Sequence, residues 1–136
     1  MTANDFYQAK FGRKVAKIPL NGGFTCPNRD GTLSYDGCIY CSDKGAGDFA
    51  GDASETIRAQ YLRSLASLRK KWPDCLTIPY FQAMTNTYAP VEKLRRLYKE
   101  ALSLGPEVVG LSIATRPDAL PKDMLEYLGE LNQRTF

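Results

Sequence analysis

Histidine is absent from the 136-residue chain. Its absence removes the commonest metal ligand, the commonest general base and every Ser-His or Cys-His catalytic pair. A metal site here has to rest on thiolates, carboxylates or an outside ligand. Long apolar runs are missing as well: no window approaches the ~20 apolar residues needed to span a bilayer. The first residues, Met-Thr-Ala-Asn-Asp, have no basic stretch leading into an apolar one, so they do not read as a secretory signal. The expectation is a cytoplasmic protein without membrane association. There cysteines stay reduced, and clustered thiols suggest metal or catalysis over disulfides. A strong charge bias is also lacking, because 18 basic and 15 acidic residues leave a net charge of +3. That is no dense basic stripe of the kind nucleic-acid binding requires. One local cluster, Lys10, Arg13, Lys14 and Lys17, contains no acid. It reads either as a solvated strand entrance or as a contact for an anionic substrate such as RNA. No G-x-x-x-x-G-K-S/T stretch occurs, so the glycines at 45, 47 and 51 read as loop flexibility and not as a phosphate cradle.

What is present is an ordinary globular composition, 43% hydrophobic and 24% charged. The length suits one compact domain. Val15–Leu20 is mostly apolar and reads as a first strand, with Pro19 awkward for a central position. From Gly22 to Asp52 there is neither helical nor strand period, but there are seven glycines and three cysteines. A structureless loop of about 30 residues is rare inside a compact domain and usually functional. Asp52-Ala-Ser-Glu55 reads as a capping box. The helix after it places Ile57, Tyr61, Leu65, Leu68 and Trp72 on one face. A second strand covers Cys75 to Gln82. Pro90 opens a helix with an apolar stripe from Val91 through Leu104, closed by Gly105-Pro106. Glu107 to Thr115 reads as a third, buried parallel strand. Pro121 opens a last helix with Met124, Leu125, Leu128 and Leu131 facing inward. The alternation predicts βαβ units, a parallel sheet and functional loops at the strand C-terminal ends. The segments after strands 1, 2 and 3 should surround one site. Three such strands amount to half of a barrel, so a truncated chain is expected, with an exposed strand edge.

The chemistry lies in Cys26, Cys38 and Cys41, spaced C-x11-C-x2-C. Thiolates on one loop suit soft metals. Three of them on a four-iron cluster leave one iron open to another ligand. A structural zinc ion would want a fourth ligand, for which Cys75 is the remaining thiol. Cys75 also reads as a small buried hydrophobe. Disulfides remain a third reading.

The run Gly-Phe-Thr-Cys26-Pro-Asn-Arg-Asp-Gly followed by Gly-Cys38-Ile-Tyr-Cys41 resembles the cluster loop of radical S-adenosylmethionine (SAM) proteins of the YhcC/YtqA type, a branch akin to the catalytic subunit of Elongator. Tyr80-Phe-Gln-Ala-Met-Thr-Asn-Thr-Tyr-Ala-Pro90 and Ile113-Ala-Thr-Arg-Pro-Asp118 resemble the same group in the same order. The commonest radical SAM spacing is C-x3-C-x2-C; the longer first gap is similar to that of this branch. The resemblance implies an α/β fold, the N-terminal half of a partial (β/α)6 TIM-like barrel, with residues 1–136 forming the first part of the radical SAM core. It implies a 4Fe–4S cluster on Cys26, Cys38 and Cys41. It implies reductive cleavage of SAM to methionine and a 5′-deoxyadenosyl radical, with an electron donor such as flavodoxin or ferredoxin. The substrate is unknown, with RNA or tRNA suggested by the Elongator likeness. Tyr40 matches the aromatic residue beside the adenine, or else is a packing aromatic. Gln82, Thr85 and Asn86 stand where relatives carry a Gly-Gly-Glu-type motif, which is absent here; the alternative is a polar turn. Ser112 is a candidate facing the barrel interior. Arg116 could pair with the SAM carboxylate or with Asp118. The competing functions are a non-catalytic zinc or iron–sulfur module and an inactive fragment of a larger enzyme.

Overall fold

The computed structural model describes residues 1–136. The elements are α1 (Ala3–Phe11), β1 (Val15–Leu20), α2 (Ile57–Lys71), β2 (Leu76–Phe81), α3 (Val91–Leu102), β3 (Ser112–Ile113) and α4 (Lys122–Asn132), with a short 3₁₀ turn at Pro117–Ala119 before α4. The fold is mixed α/β. Its three strands lie in the order β1-β2-β3 and are parallel throughout. No helix is long and apolar enough to cross a membrane.

Register assigns the two sheet faces. Ile18 pairs with Pro79, and Leu20 with Phe81. Side chains alternate along a strand, so these residues share one face, and α2, α3 and α4 cover it. The core there joins Ile18, Leu20 and Phe81 to Ile57, Tyr61 and Leu65 of α2, Leu94, Tyr98 and Ala101 of α3, and Met124 and Tyr127 of α4. Each fully buried aliphatic or aromatic side chain contributes about 1.5–3 kcal/mol. Lys17, Pro19, Tyr80 and Ser112 belong to the opposite face.

Helix α2 forms where its i, i+4 apolar positions repeat, and Arg69, Lys70 and Lys71 sit at its C-terminus, where cations suit the helix dipole. Its cap differs from the expected Asp52/Glu55 box. The Thr56 hydroxyl accepts the Ala59 N–H at 3.2 Å, while Asp52 closes a turn of its own by accepting the Ser54 N–H at 2.8 Å. Trp72 does not extend the apolar face; it caps the helix end, under the Lys14 and Lys71 ammonium groups. In α4 Met124 and Tyr127 are buried and Leu128 and Leu131 pack against the core, whereas Leu125 is 52% exposed. Tyr127 stacks on Tyr98 with the rings 8° from parallel. Arg95 lies over Tyr127 and bonds Glu130 at 3.0 Å, tying α3 to α4.

Two elements depart further from the sequence pattern. Helix α1 was not expected, because none of its residues is buried and it shows no apolar stripe. Local signals hold it: Thr2 and Asp5 form a reciprocal capping box, and Gly12 ends it at φ +67°. The third strand is far shorter than Glu107 to Thr115. Val108 makes a single bridge to Thr77, and ladder pairing resumes only at Ser112–Ile113. Between them the Leu111 N–H leaves the ladder and donates to the Phe136 carbonyl at 2.8 Å. A Cβ on Gly110 would stand 2.1 Å from that carbonyl, so this approach needs glycine.

Candidate metal and cofactor site

Residues between β1 and α2 contain no helix or strand, yet the loop is ordered by its own bonds. The Cys26 carbonyl accepts the N–H groups of Arg29 and Asp30, and the Asn28 carbonyl accepts that of Gly37 at 2.8 Å. The Arg29 guanidinium crosses the loop and donates to the Ser42 carbonyl at 2.6 Å and the Asp43 carbonyl at 3.0 Å. Gly37, at φ +77°, passes directly over that guanidinium. These ties bring Cys26, Cys38 and Cys41 onto one cavity of about 370 Å³.

The cavity lies where the loops after β1, β2 and β3 meet. Tyr40, Gln82, Thr85 and Arg116 line it with the three cysteines. Two other candidate residues do not. Asn86 is fully buried and does not line the cavity: its side-chain amide donates to the Ala114 carbonyl at 2.9 Å, and its main-chain carbonyl accepts the Tyr98 hydroxyl. It clamps the loop after β2 to the end of β3. Ser112 lies on the sheet face, where its hydroxyl accepts from the Lys17 ammonium at 3.3 Å. Cys75 precedes β2 and is 3% exposed. It lies at the opposite end of that strand, about 20 Å of backbone from the cavity, too far to be a fourth ligand. All four cysteines are free thiols. No three Cys, Asp or Glu side chains are grouped to hold a single metal ion.

The thiols differ in their surroundings. Burial alone would raise the Cys26 thiol, but hydrogen bonds from the Thr85 hydroxyl, the Asn28 N–H and Arg116 outweigh burial and lower it. Hydrogen bonds from the Tyr40 hydroxyl and the Asn28 amide lower the Cys38 thiol, and the same contact raises Tyr40. Cys41 is raised, first by burial and then by the negative charge on Cys38. Arg116 is gripped by Asp118 through Nε at 2.6 Å and Nη2 at 2.8 Å. Asp118 is one of the two partners foreseen for Arg116.

Asn28, Arg29 and Met84 carry weight that sequence reasoning did not assign them. Asn28 and Arg29 lay inside the Cys-Pro-Asn-Arg-Asp-Gly run, where only the cysteine received a role. Met84 lines the cavity at φ +66°, and Ala46 opposite it has φ +62°. Left-handed backbone at non-glycine residues costs of order 1–3 kcal/mol and clusters at functional sites. No residue of the basic cluster near the N-terminus lines the cavity. Lys10 lies over Phe136, Lys14 over Trp72 and Lys17 over Tyr80.

The chain is 50% identical over 135 residues to the Uncharacterized protein YtqA of Bacillus subtilis, covering 99% of this chain and 42% of that one. It is 39% identical over 128 residues to Protein YhcC of Escherichia coli K12, covering 93% of this chain and 40% of that one. It is 38% identical over 127 residues to the Uncharacterized protein MJ0486 of Methanocaldococcus jannaschii, covering 92% and 38%. The chain therefore spans about two-fifths of the length of these curated relatives. No family model matches it. No solved structure matches it.

Proposed function

We propose that this chain forms the first part of a radical SAM core, a partial (β/α)6 barrel whose cavity holds a 4Fe–4S cluster and SAM. The observation that carries the reading is the convergence of three free thiols on one cavity at the C-terminal edge of a parallel sheet. The donor set fits the group. There are three soft ligands and no histidine, and two of the thiols are biased toward thiolate. A four-iron cluster also spaces its ligands more widely than a single ion does, in keeping with three sulfurs that share a wall without converging on a point.

Cys26, Cys38 and Cys41 would hold the cluster, with one iron free of protein ligands. When bound, cluster and SAM supply a one-electron cleavage that yields methionine and a 5′-deoxyadenosyl radical. The chain supplies placement and polarity. Gln82 presents an amide along the wall formed after β2, suited to an ammonium or carboxylate, and the Thr85 hydroxyl, whose proton goes to Cys26, can accept from an ammonium. Tyr40, 84% exposed at the rim and bonded to Cys38, offers a ring face for a purine base. Asn86 and Ser112 have no place in this binding: one is a buried clamp and the other a partner of Lys17.

The test is anaerobic reconstitution with iron and sulfide, reduction, and electron paramagnetic resonance with and without SAM. A reduced cluster signal that changes on adding SAM and vanishes in Cys38→Ala is expected. A chain that takes up one zinc through the same cysteines and forms no cluster overturns the proposal.

A further inference from the structure

Two side chains outside the ligand set aim nitrogen donors at the cysteine sulfurs. Asn28 Nδ2 lies 3.0 Å from Cys38 Sγ, and Arg116 Nη1 lies 3.5 Å from Cys26 Sγ. Both donors are fixed in place. The Asn28 main-chain carbonyl accepts the Gly37 N–H at 2.8 Å, which ties its backbone to the stretch of loop that carries Cys38. Arg116 is oriented by both carboxylate oxygens of Asp118, leaving Nη1 to face Cys26. Cys41 is treated differently, because the nearby Arg29 spends its donors on the Ser42 and Asp43 carbonyls.

A sulfur bound to iron carries negative charge, and that charge grows when the cluster gains an electron. An N–H dipole or a guanidinium aimed at the sulfur is therefore favoured more in the reduced state, and the reduction potential rises. We propose that Asn28 and Arg116 are positioning residues that raise the potential of a cluster held by Cys26, Cys38 and Cys41, with Asp118 aiming Arg116. The inference rests on the cluster reading above. The event concerned is uptake of one electron from an added reductant, with no bond formed or broken in the protein. It also gives Arg116 a duty other than clamping the SAM carboxylate, and leaves Gln82 and Thr85 as the polar groups for the ligand.

The test is a potentiometric titration of the full chain, reconstituted without oxygen and poised with dithionite and mediator dyes, with iron and sulfide counted for each variant. Asn28→Ala is expected to lower the ratio of reduced to oxidised cluster about tenfold at a fixed poise, about 59 mV for one electron. Asn28→Asp places a carboxylate where the donor stood and moves the potential further in the same direction. Arg116→Gln removes the guanidinium and its charge from beside Cys26 and gives a shift of the same sign. Arg116→Lys keeps the cation and restores part of what Arg116→Ala loses. Equal potentials in Asn28→Ala and the parent at equal iron content overturn the inference while leaving the cluster standing. If Asn28→Ala takes up no iron, Arg116→Gln decides, and an unchanged potential there overturns it. A parent chain that takes up no iron sinks the cluster reading itself, a separate result.

Discussion

Arg29→Ala removes the one side chain that bridges the cysteine loop from its first turn to its last cysteine. The guanidinium donates to the carbonyls of Ser42 and Asp43, 13 and 14 residues away in sequence. Hydrogen bonds to a charged group are worth about 1.5–3 kcal/mol each when intact. Both acceptors lie at the loop surface, so water replaces part of that when the arginine is lost. The expected cost is about 2 kcal/mol for the two together. That cost falls on the loop, since the helices and sheet pack without it. An opening free energy lower by about 2 kcal/mol raises the open population about 30-fold. Limited proteolysis between Cys26 and Cys41 reads this directly, and the rate should rise by that order while the urea midpoint of the helical signal moves little. Iron uptake should fall in parallel, because Cys41 is no longer tied to the turn that presents Cys26. Arg29→Lys should be intermediate, since a point ammonium cannot reach two carbonyls as a planar fork does. Unchanged cleavage and unchanged iron uptake in Arg29→Ala would refute the claim that this residue sets the spacing of the thiols.

Alkylation by iodoacetamide near neutral pH, mapped by mass spectrometry, should modify Cys26 and Cys38 first. Cys41 should follow because its thiol is raised, and Cys75 should come last because it is 3% exposed; Cys41 reacting first would contradict this order. Stability should fall at alkaline pH. Burial, followed by the Glu107 hydrogen bond, raises Tyr61, and burial with the Tyr127 charge raises Tyr98. An unfolded tyrosine titrates near pH ~10. The unfolded chain therefore gives up these protons first, so the stabilisation is complete below that pH and is lost as pH rises toward the folded values. Urea midpoints should drop as pH rises above about 10, with a shallower drop in Tyr98→Phe; equal slopes would refute the assignment.

Much of the architecture was legible because hydrophobic period survives without tertiary context. The i, i+4 repeat of Ile57, Tyr61 and Leu65 specified α2. The apolar stretches at Val15–Leu20 and from Cys75 to Gln82 specified two parallel strands, the second forming over Leu76–Phe81. Where period and packing part company, the reading failed. Helix α1 buries nothing, so its only marks were a capping box and a glycine. The run Val108-Val109-Gly110-Leu111 is apolar enough for a strand, but Leu111 gives its N–H to Phe136, a contact remote in sequence. Leu125 and Tyr127 both fit a helical stripe within one residue of error, and stacking with Tyr98 chose Tyr127.

The candidate site divides in the same way. Residue chemistry alone limited any metal site to thiolates, carboxylates or an outside ligand, since the chain has no histidine, and drew attention to the three cysteines on one unstructured loop. Strand order determined that the loops after β1, β2 and β3 share an edge. Which polar side chains face that edge was decided only in three dimensions. Thr85 and Asn86 are adjacent in sequence, yet one lines the cavity and the other is a buried clamp. The left-handed turn at Met84 rotates the backbone between strand and loop, and no periodic pattern extends through such a turn. Arg116 could have faced several partners on composition alone; the two-residue step to Asp118 and the fold that lays Cys26 alongside give it those two contacts. Side-chain identity limits which bonds are possible, and chain path decides which of them are made.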